Sequence, residues 1–318
     1  MTEIMIEETK YKGRIGQTGT YLKKFLRMFV YQSDWKVLPI GALIAALVTF
    51  VVGKELFINQ EGTVFGTFAL TCVCIWNGFF NSIQVVCRER AIIKREHRSG
   101  MHVTSYIAAH MIYQLILCVL QSAITVLVLM ICGVNFPPTG IILPIGILDI
   151  GVTILLITYA SDIMALMVSC IVKTTTTAMT VMPFLLIFEL VFSGGFFELG
   201  AADFIKVTTI SHWGMDSMSI IGRYNELPMK SLWNTMLKFQ DITIPDTGEQ
   251  PIKGIVDYVI QNDMVDDIML WSGTYNTNPA YESIASNVWL CWGILLLMVV
   301  VFAAASVIAL KFIDRDKR

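Results

Sequence analysis

The sequence is poor in charged residues, which make up 15% of its 318 residues, whereas 55% are hydrophobic. A soluble domain normally carries about a quarter charged residues, and the charges here are clumped, leaving long runs with almost none. The mean hydropathy is +0.65. These values exclude a soluble globular domain. The net charge of −2 gives no basic surplus, so we expect no nucleic-acid partner.

Motifs of common catalytic and metal sites are also missing. The sequence contains no G-x-x-x-x-G-K-[ST] loop to hold nucleotide phosphates. It contains no G-x-S-x-G or H-E-x-x-H, and its histidines lack metal-ligand spacing. Cys72 and Cys74 are spaced like a metal pair, but no partner cluster accompanies them, which favours two small apolar helix residues. We expect no catalytic residue, cofactor or metal on this chain, with a membrane hydrolase as a minor alternative.

Long apolar runs are what the sequence has in abundance. A hydrocarbon core of about 30 Å needs roughly 20 apolar residues in a helix. An all-α membrane protein with six transmembrane helices is therefore predicted. The six runs are Val37–Gly53 (extending to Phe57), Thr63–Cys87, Val103–Val134, Ile141–Val172, Ala178–Phe197 and Val288–Leu310. The third and fourth runs exceed one span, so each is expected to tilt, kink or project from the bilayer. Pro144 is predicted to lie in the first turn of the fourth, so its membrane part is expected nearer 151–172.

Lysine and arginine predict the orientation of these spans. With six spans, one side holds both termini and carries 17 Lys and Arg residues, whereas the other side carries 6. Positive residues concentrate on the cytoplasmic side of membrane proteins. We therefore expect a multi-pass protein of the cell membrane with cytoplasmic N- and C-termini.

The charge pattern also divides the chain. Residues 1–36 form a cytoplasmic N-terminus and 37–197 hold spans one to five. Residues 198–287 form a large external loop, in which 12 acidic and 5 basic residues lie between Glu198 and Glu282. Residues 288–318 hold the sixth span and a cytoplasmic tail. Periodic apolar residues in 252–269 predict short helices in the loop, and residues 245–248 predict a turn.

Residues 20–36 predict a basic amphipathic helix before the first span. Leu22, Phe25, Leu26 and Phe29 share one helical face, and lysine and arginine crowd the other. Such a helix suits the inner membrane surface, and membrane lipid is an expected partner. A surface helix packed on the bundle is an equal alternative.

The segment between spans two and three predicts a short docking helix on the cytoplasmic side. Helical spacing places Glu89, Ile92, Ile93 and Glu96 on one face and Arg90, Lys94 and Arg98 on another. Arg95 is a further candidate in the same segment. Gly100 is expected to end the helix as its C-cap. An aliphatic centre ringed by both signs of charge favours docking in a groove of another protein. A basic loop that contacts only lipid headgroups is the alternative.

Polar residues inside the spans are further candidates. Ionised groups at mid-bilayer are costly, so Asp162 and Glu189 are expected to face protein or water. They either line a polar pathway or bind a cation, or they are packing residues between helices. Asp149 lies nearer the outer boundary, too far around the helix to pair with Asp162. Asn77, Asn81 and Gln84 share one face of span two. They either line a pathway or, as is commoner, hydrogen-bond neighbouring helices.

The run Glu89-Arg90-Ala91, then Arg95-Glu96, then Ser99-Gly100-Met101 and Ser105-Tyr106 resembles the segment after the second span of G-type ABC transporter permeases, of the ABC-2 superfamily. Phe192-Ser193-Gly194-Gly195-Phe196-Phe197 is similar to the turn before that family's external loop. The predicted order of an amphipathic helix, six spans and a long loop between spans five and six also agrees with that family.

The resemblance implies the permease of an ATP-driven exporter. Residues 88–100 would then be the coupling helix, contacting an ABC ATPase subunit that carries the ATP and Mg. A second permease copy or a paralogue would complete a dimeric pathway flanked by Asn77, Asn81, Gln84, Phe188, Glu189 and Phe192. G-type proteins often carry the ATPase in the same chain. Its motif is missing here, so a separate polypeptide is expected to supply it. The alternatives are an ion-coupled secondary transporter using Glu189 and Asp162, and a receptor or scaffold using the external loop.

Overall fold

A computed structural model describes residues 13–31, 34–195, 199–244 and 248–312. Within these ranges the chain is helical, and no β-strand occurs. The α-helices are α1 (Arg14–Tyr31), α2 (Val37–Val52), α3 (Gln60–Ser82), α4 (Val85–Arg88), α5 (Arg90–Arg98), α6 (Val103–Ile131), α7 (Gly146–Ile171), α8 (Thr175–Val191), α9 (Ile210–Ile221), α10 (Ser231–Phe239), α11 (Pro251–Gln261), α12 (Val265–Gly273) and α13 (Ala285–Lys311). The prediction of an all-α fold is confirmed.

Four helical stretches among the described residues are long and apolar enough to cross a bilayer: Gln60–Arg88, Val103–Ile131, Gly146–Ile171 and Ala285–Lys311. These correspond to the predicted spans two, three, four and six. The predicted spans one and five form the shorter apolar helices Val37–Val52 and Thr175–Val191.

Several predicted span ends differ from the structure. The first does not continue to Phe57: α2 ends at Val52, and Phe57 has a positive φ of 60° in the turns that follow. The fourth begins at Gly146, because residues 141–143 direct their backbone N–H groups to the Asp149 carboxylate. Pro144 thus precedes the helix instead of lying in its first turn.

The centre of the bundle is built by α3 and α7, which approach closely at Gly78. A Cβ atom on Gly78 would lie 2.5 Å from the Thr158 carbonyl oxygen and 2.7 Å from the Asp162 nitrogen. Only a glycine permits this backbone approach, as is usual where membrane helices pack tightly. The contact holds Asp162 directly against α3.

Helix α9 lies inside the bundle, although it belongs to the region predicted to form the external loop. Ten of its twelve residues are buried. The Trp292 indole N–H of α13 donates to Thr153 Oγ1 of α7 at 2.9 Å and to Ser217 Oγ of α9 at 3.1 Å. These hydroxyls satisfy polar groups that burial would otherwise leave without partners.

The helices α10, α11 and α12 form a small cluster with its own core of Trp233, Val256 and Val259. This confirms the prediction of short helices in 252–269. Glu61 of α3 accepts hydrogen bonds from the backbone N–H groups of Lys230 (3.2 Å) and Ser231 (2.7 Å) at the start of α10. The predicted turn at 245–248 lies mostly outside the described residues.

Helix α1 begins earlier than predicted, at Arg14, and packs on α6. Phe25 is buried, and its ring stacks on His110 with the centroids 3.9 Å apart. Lys23, Leu26 and Arg27 are exposed on the opposite side. Packing on the bundle and an exposed basic face therefore occur together in one helix.

Candidate functional site

The segment between spans two and three folds as two short helices. Helix α3 ends at Ser82, α4 and α5 follow, and Glu89 lies between them. Gly100 has a φ of 98°, and its N–H donates to the His97 carbonyl while the Met101 N–H donates to the Glu96 carbonyl. This is the Schellman arrangement. The prediction that Gly100 ends the helix is confirmed.

Helix α1 holds one side of α5. Lys24 Nζ lies 3.0 Å from Glu89 Oε2, and the Tyr21 hydroxyl donates to Glu96 Oε2 at 2.8 Å. Burial and the nearby Glu96 carboxylate raise the pKa of Tyr21, so its hydroxyl stays protonated and keeps donating. Gln17 binds both the Gly100 carbonyl (3.3 Å) and the His102 N–H (2.9 Å). Glu89 and Glu96 are thus both bonded within the chain.

The C-terminal end of α7 holds the other side of the segment. The Arg90 guanidinium donates to the carbonyls of Cys170 (2.9 Å) and Val172 (3.0 Å). Cations at a helix C-terminus satisfy the last carbonyls and interact favourably with the helix dipole. Ser169 Oγ accepts the N–H groups of Val86 (3.0 Å) and Cys87 (3.2 Å). The segment is therefore joined to a central helix of the bundle.

One face of the segment remains exposed. Arg88, Ala91, Ile92, Arg95 and Arg98 are exposed, whereas Ile93 is buried. Their spacing of three or four residues places them along one side of the helical segment. We call these five residues the cationic stripe. Ile92 and Ile93, predicted to share a docking face, are separated: one faces outward and the other faces the core. Lys94 is half-buried.

Asp162 lies in a hydrogen-bonded network that joins three helices. It is fully buried and accepts from the Ser82 hydroxyl, from Asn81 Nδ2 (3.2 Å) and from Cys118 Sγ (3.3 Å). Asn81 also exchanges two hydrogen bonds with the Gln121 amide. The network links α3, α6 and α7, which is the packing arrangement that the sequence left as one alternative for this carboxylate.

Glu189 serves as a cap for the buried helix α9. Its carboxylate accepts the Ser211 N–H at 3.0 Å, and the Ser211 hydroxyl donates to the Glu189 carbonyl. Carboxylates at a helix N-terminus satisfy free N–H groups and favour the helix dipole. Asp162 and Glu189 therefore belong to different contacts, one within α3, α6 and α7 and the other between α8 and α9.

The remaining pathway candidates lie in different surroundings. Asn77 is buried, and its side-chain oxygen lies 3.1 Å from where a Cβ on Gly41 of α2 would stand. Gln84 follows the end of α3 and lines a cavity beside α1. Phe188 and Phe192 contact each other with ring centroids 5.0 Å apart, and Phe188 is exposed whereas Glu189 is buried. In the motif at 192–197, Phe196 and Phe197 lie outside the described residues.

The fold and the composition define a multi-pass helical membrane protein. Residues 17–216 match the model of the ABC-2 type transporter family. The chain is also 30% identical over 166 residues to an ABC transporter ATP-binding/permease protein of Mycobacterium tuberculosis, a match that covers 51% of this chain and 18% of that relative. The chain thus spans under a fifth of the relative's length. It belongs to the ABC-2 type transporter family, whose membrane domain is the permease component and is not itself catalytic.

Sequence reasoning missed the residues that hold the 88–100 segment in place. Gln17, Tyr21 and Lys24 lie more than 60 residues away along the chain, and Ser169 is in another span. One sequence signal could have predicted the Lys24 contact. Lys24 lies on the basic side of the predicted amphipathic helix, and burial of the apolar face of that helix brings its basic residues close to the two glutamates.

Proposed function

We propose that this chain is the membrane-spanning permease subunit of an ATP-driven exporter, and that a separate ABC ATPase polypeptide docks on the cationic stripe. The observation that carries the proposal is the exposed stripe on a segment bonded to α1 on one side and to α7 on the other. A displacement of such a segment would be transmitted to the centre of the bundle, because the segment is bonded directly to these helices. Family members normally work with an ATPase.

The proposal includes six crossings of the membrane, with the termini and the stripe inside. Helices α2 and α8 have 16 and 17 residues, about 24–26 Å at ~1.5 Å per residue, which a bilayer accommodates with modest local thinning. Ile40, Leu43 and Leu47 of α2 are exposed, consistent with a lipid-facing side. The excess of lysine and arginine on one side supports the orientation.

The proposed path of force runs from the stripe through Arg90 to the end of α7. Helix α7 packs tightly on α3 at Gly78 and is tied to α9 and α13 through Thr153. Displacement of the segment would therefore move several helices together. Two copies, or this chain with a paralogue, would enclose the route between them, and the α10–α12 cluster would cover its outer end.

The experiment is reconstitution with the candidate ATPase, first found by co-purification. A double variant, Ile92→Glu with Arg95→Glu, places two acidic groups on the stripe. We expect loss of co-purifying ATPase and loss of transport-coupled ATP hydrolysis, with the permease still folded. The control is Lys23→Glu with Arg27→Glu, which changes two exposed basic residues of α1 outside the stripe. Full coupling in the stripe variant would contradict the proposal.

The ion-coupled alternative is not favoured. Asp162 and Glu189 accept hydrogen bonds from three groups and from a helix N-terminus, respectively, and each is almost completely buried. Transport that survives ATP depletion and stops with an uncoupler would revive that alternative.

A further inference from the structure

A cavity of about 230 Å³ lies behind the 88–100 segment, under helix α1. Its walls come from six helices and their connections. Phe25 and Met28 of α1, Phe80 of α3 and Leu117 of α6 supply apolar surface, and Met179 of α8 closes one side. Gln84 and Arg88 bring polar groups to the same space. The cavity is thus amphipathic, with both polar and charged groups in a lining that is mostly apolar.

His110 borders this cavity with both ring nitrogens unpartnered. The side chain is 1% exposed, and neither Nδ1 nor Nε2 has a hydrogen-bond partner in the structure. Buried polar groups almost always have partners. Phe25 stacks on one face of the ring, and Tyr106 meets it edge-on with centroids 4.7 Å apart. Both nitrogens are themselves buried, so a molecule in the cavity reaches them by displacing the side chains that cover them.

The charges around the cavity favour an anionic ligand. Arg88 is exposed, whereas Glu89, which also lines the cavity, is paired with Lys24 at 3.0 Å. Lys23 and Arg27 are exposed on the nearby helix α1. Clusters of basic residues at the surface of a membrane attract anionic lipid headgroups. A hydrocarbon chain suits the remaining lining, which is mostly aromatic and aliphatic.

We propose that this cavity binds one acyl chain of an anionic glycerophospholipid from the surrounding membrane, with its phosphate at Arg88 and an oxygen of its glycerol backbone bonded to His110. Drug-sized ligands need about 300–1,000 Å³, so the cavity admits part of a chain while the headgroup stays outside. The site is separate from the route proposed between two permease copies. In the orientation proposed above, on which this point rests, the lipid comes from the inner leaflet.

Native mass spectrometry of the full chain tests the proposal without any ATPase, so failure of the proposed function leaves the result readable. The chain is taken from nanodiscs of equal phosphatidylcholine and phosphatidylglycerol, and retained lipid is identified. We expect one phosphatidylglycerol per chain. Arg88→Gln should lower its retention about tenfold, because a hydrogen-bonded ion pair with the phosphate is lost. Leu117→Trp should also lower it by filling the cavity.

The control is Arg95→Gln, which removes an exposed arginine of the same segment that does not line the cavity. It should retain phosphatidylglycerol like the wild type. Equal retention in the Arg88 and Arg95 variants would overturn the proposal, as would retention of phosphatidylcholine without preference. Retention of added oleate in place of phosphatidylglycerol would overturn the phospholipid assignment.

A second measurement separates binding from folding. His110→Phe keeps the aromatic stacking and removes the unpartnered nitrogens. We expect the delipidated variant to melt at a higher temperature than the delipidated wild type, since an unsatisfied buried group is gone. Added phosphatidylglycerol should raise its melting temperature less than it raises that of the wild type. An equal rise in both proteins would show that His110 takes no part, against the proposal.

Discussion

At the scale of single residues, the packing of the helices depends on a glycine that has no side chain and on a buried carboxylate that accepts several hydrogen bonds. Gly78 lets the α3 and α7 backbones approach, and that approach brings Ser82 and Asn81 to Asp162. None of this is visible in the sequence, where Gly78 is one glycine among 22. Residue pattern alone does not distinguish a glycine in close contact from a glycine facing lipid.

Gly78→Ala should destabilise the protein, because its Cβ would meet backbone atoms that cannot move aside. Overpacking of this kind costs about 1–3 kcal/mol. Gly293→Ala in α13 is the control, since no atom lies within 4 Å of its Cβ position. Thermal unfolding in detergent should show a lower midpoint for the first and an unchanged or higher midpoint for the second. A Gly78 variant as stable as wild type would disprove the close approach.

Asp149→Asn should loosen the start of α7. The two carboxylate oxygens accept the N–H groups of Ile141 (2.6 Å), Ile142 (3.0 Å) and Leu143 (2.9 Å), and an amide offers one acceptor oxygen. Hydrogen bonds to a charged group contribute about 1.5–3 kcal/mol. Hydrogen exchange should rise at residues 141–145. Asp257→Asn, at an exposed site on α11, should leave exchange there unchanged.

At the scale of secondary-structure elements, most of the predicted helices are present in the structure, but most of them begin or end at residues other than those predicted. Hydropathy locates apolar runs well, but helix ends depend on caps such as Asn59 at α3 and Thr174 at α8. Helix α9 was missed altogether. Its serines, His212 and Asp216 give it the polar composition of an external loop. The helix can nevertheless be buried, because hydroxyls and the Glu189 carboxylate of other helices hydrogen-bond its polar groups.

Glu61→Ala should free the α10–α12 cluster from α3. The Glu61 carboxylate accepts two N–H groups at the start of α10, and loss of such a cap costs about 1 kcal/mol. Limited proteolysis should cut residues 231–273 faster in the variant. Glu55→Ala removes an exposed ion pair with Lys230 and should change little. Equal cleavage in all three proteins would argue against anchoring through Glu61.

At the scale of the whole molecule, the membrane class and family followed from composition and from the 88–100 motif. The arrangement of the candidate site did not. The sequence placed Glu89 and Glu96 on a docking face, and the structure shows them bound to α1. A helical wheel gives the residues that share a face, but the neighbour that covers that face is a long-range property of the fold.

Thiol labelling tests the proposed orientation. In a Cys132→Ser background, which removes the exposed native cysteine, Lys253→Cys should react with an impermeant maleimide applied outside intact cells. Arg95→Cys should react only after permeabilisation. Labelling of both positions from the same side would contradict the six-span arrangement.

Because Glu89 is paired with Lys24 and Glu96 accepts a hydrogen bond from Tyr21, the charged residues of the exposed stripe are all arginines. A complementary partner would have to present acidic groups, and opposite charges of this kind accelerate encounter over distances of a Debye length. Assembly would then slow steeply as ionic strength rises, while dissociation, governed by the contact around Ile92, would change much less. Salt would thereby regulate how quickly a complex forms more than how long it lasts.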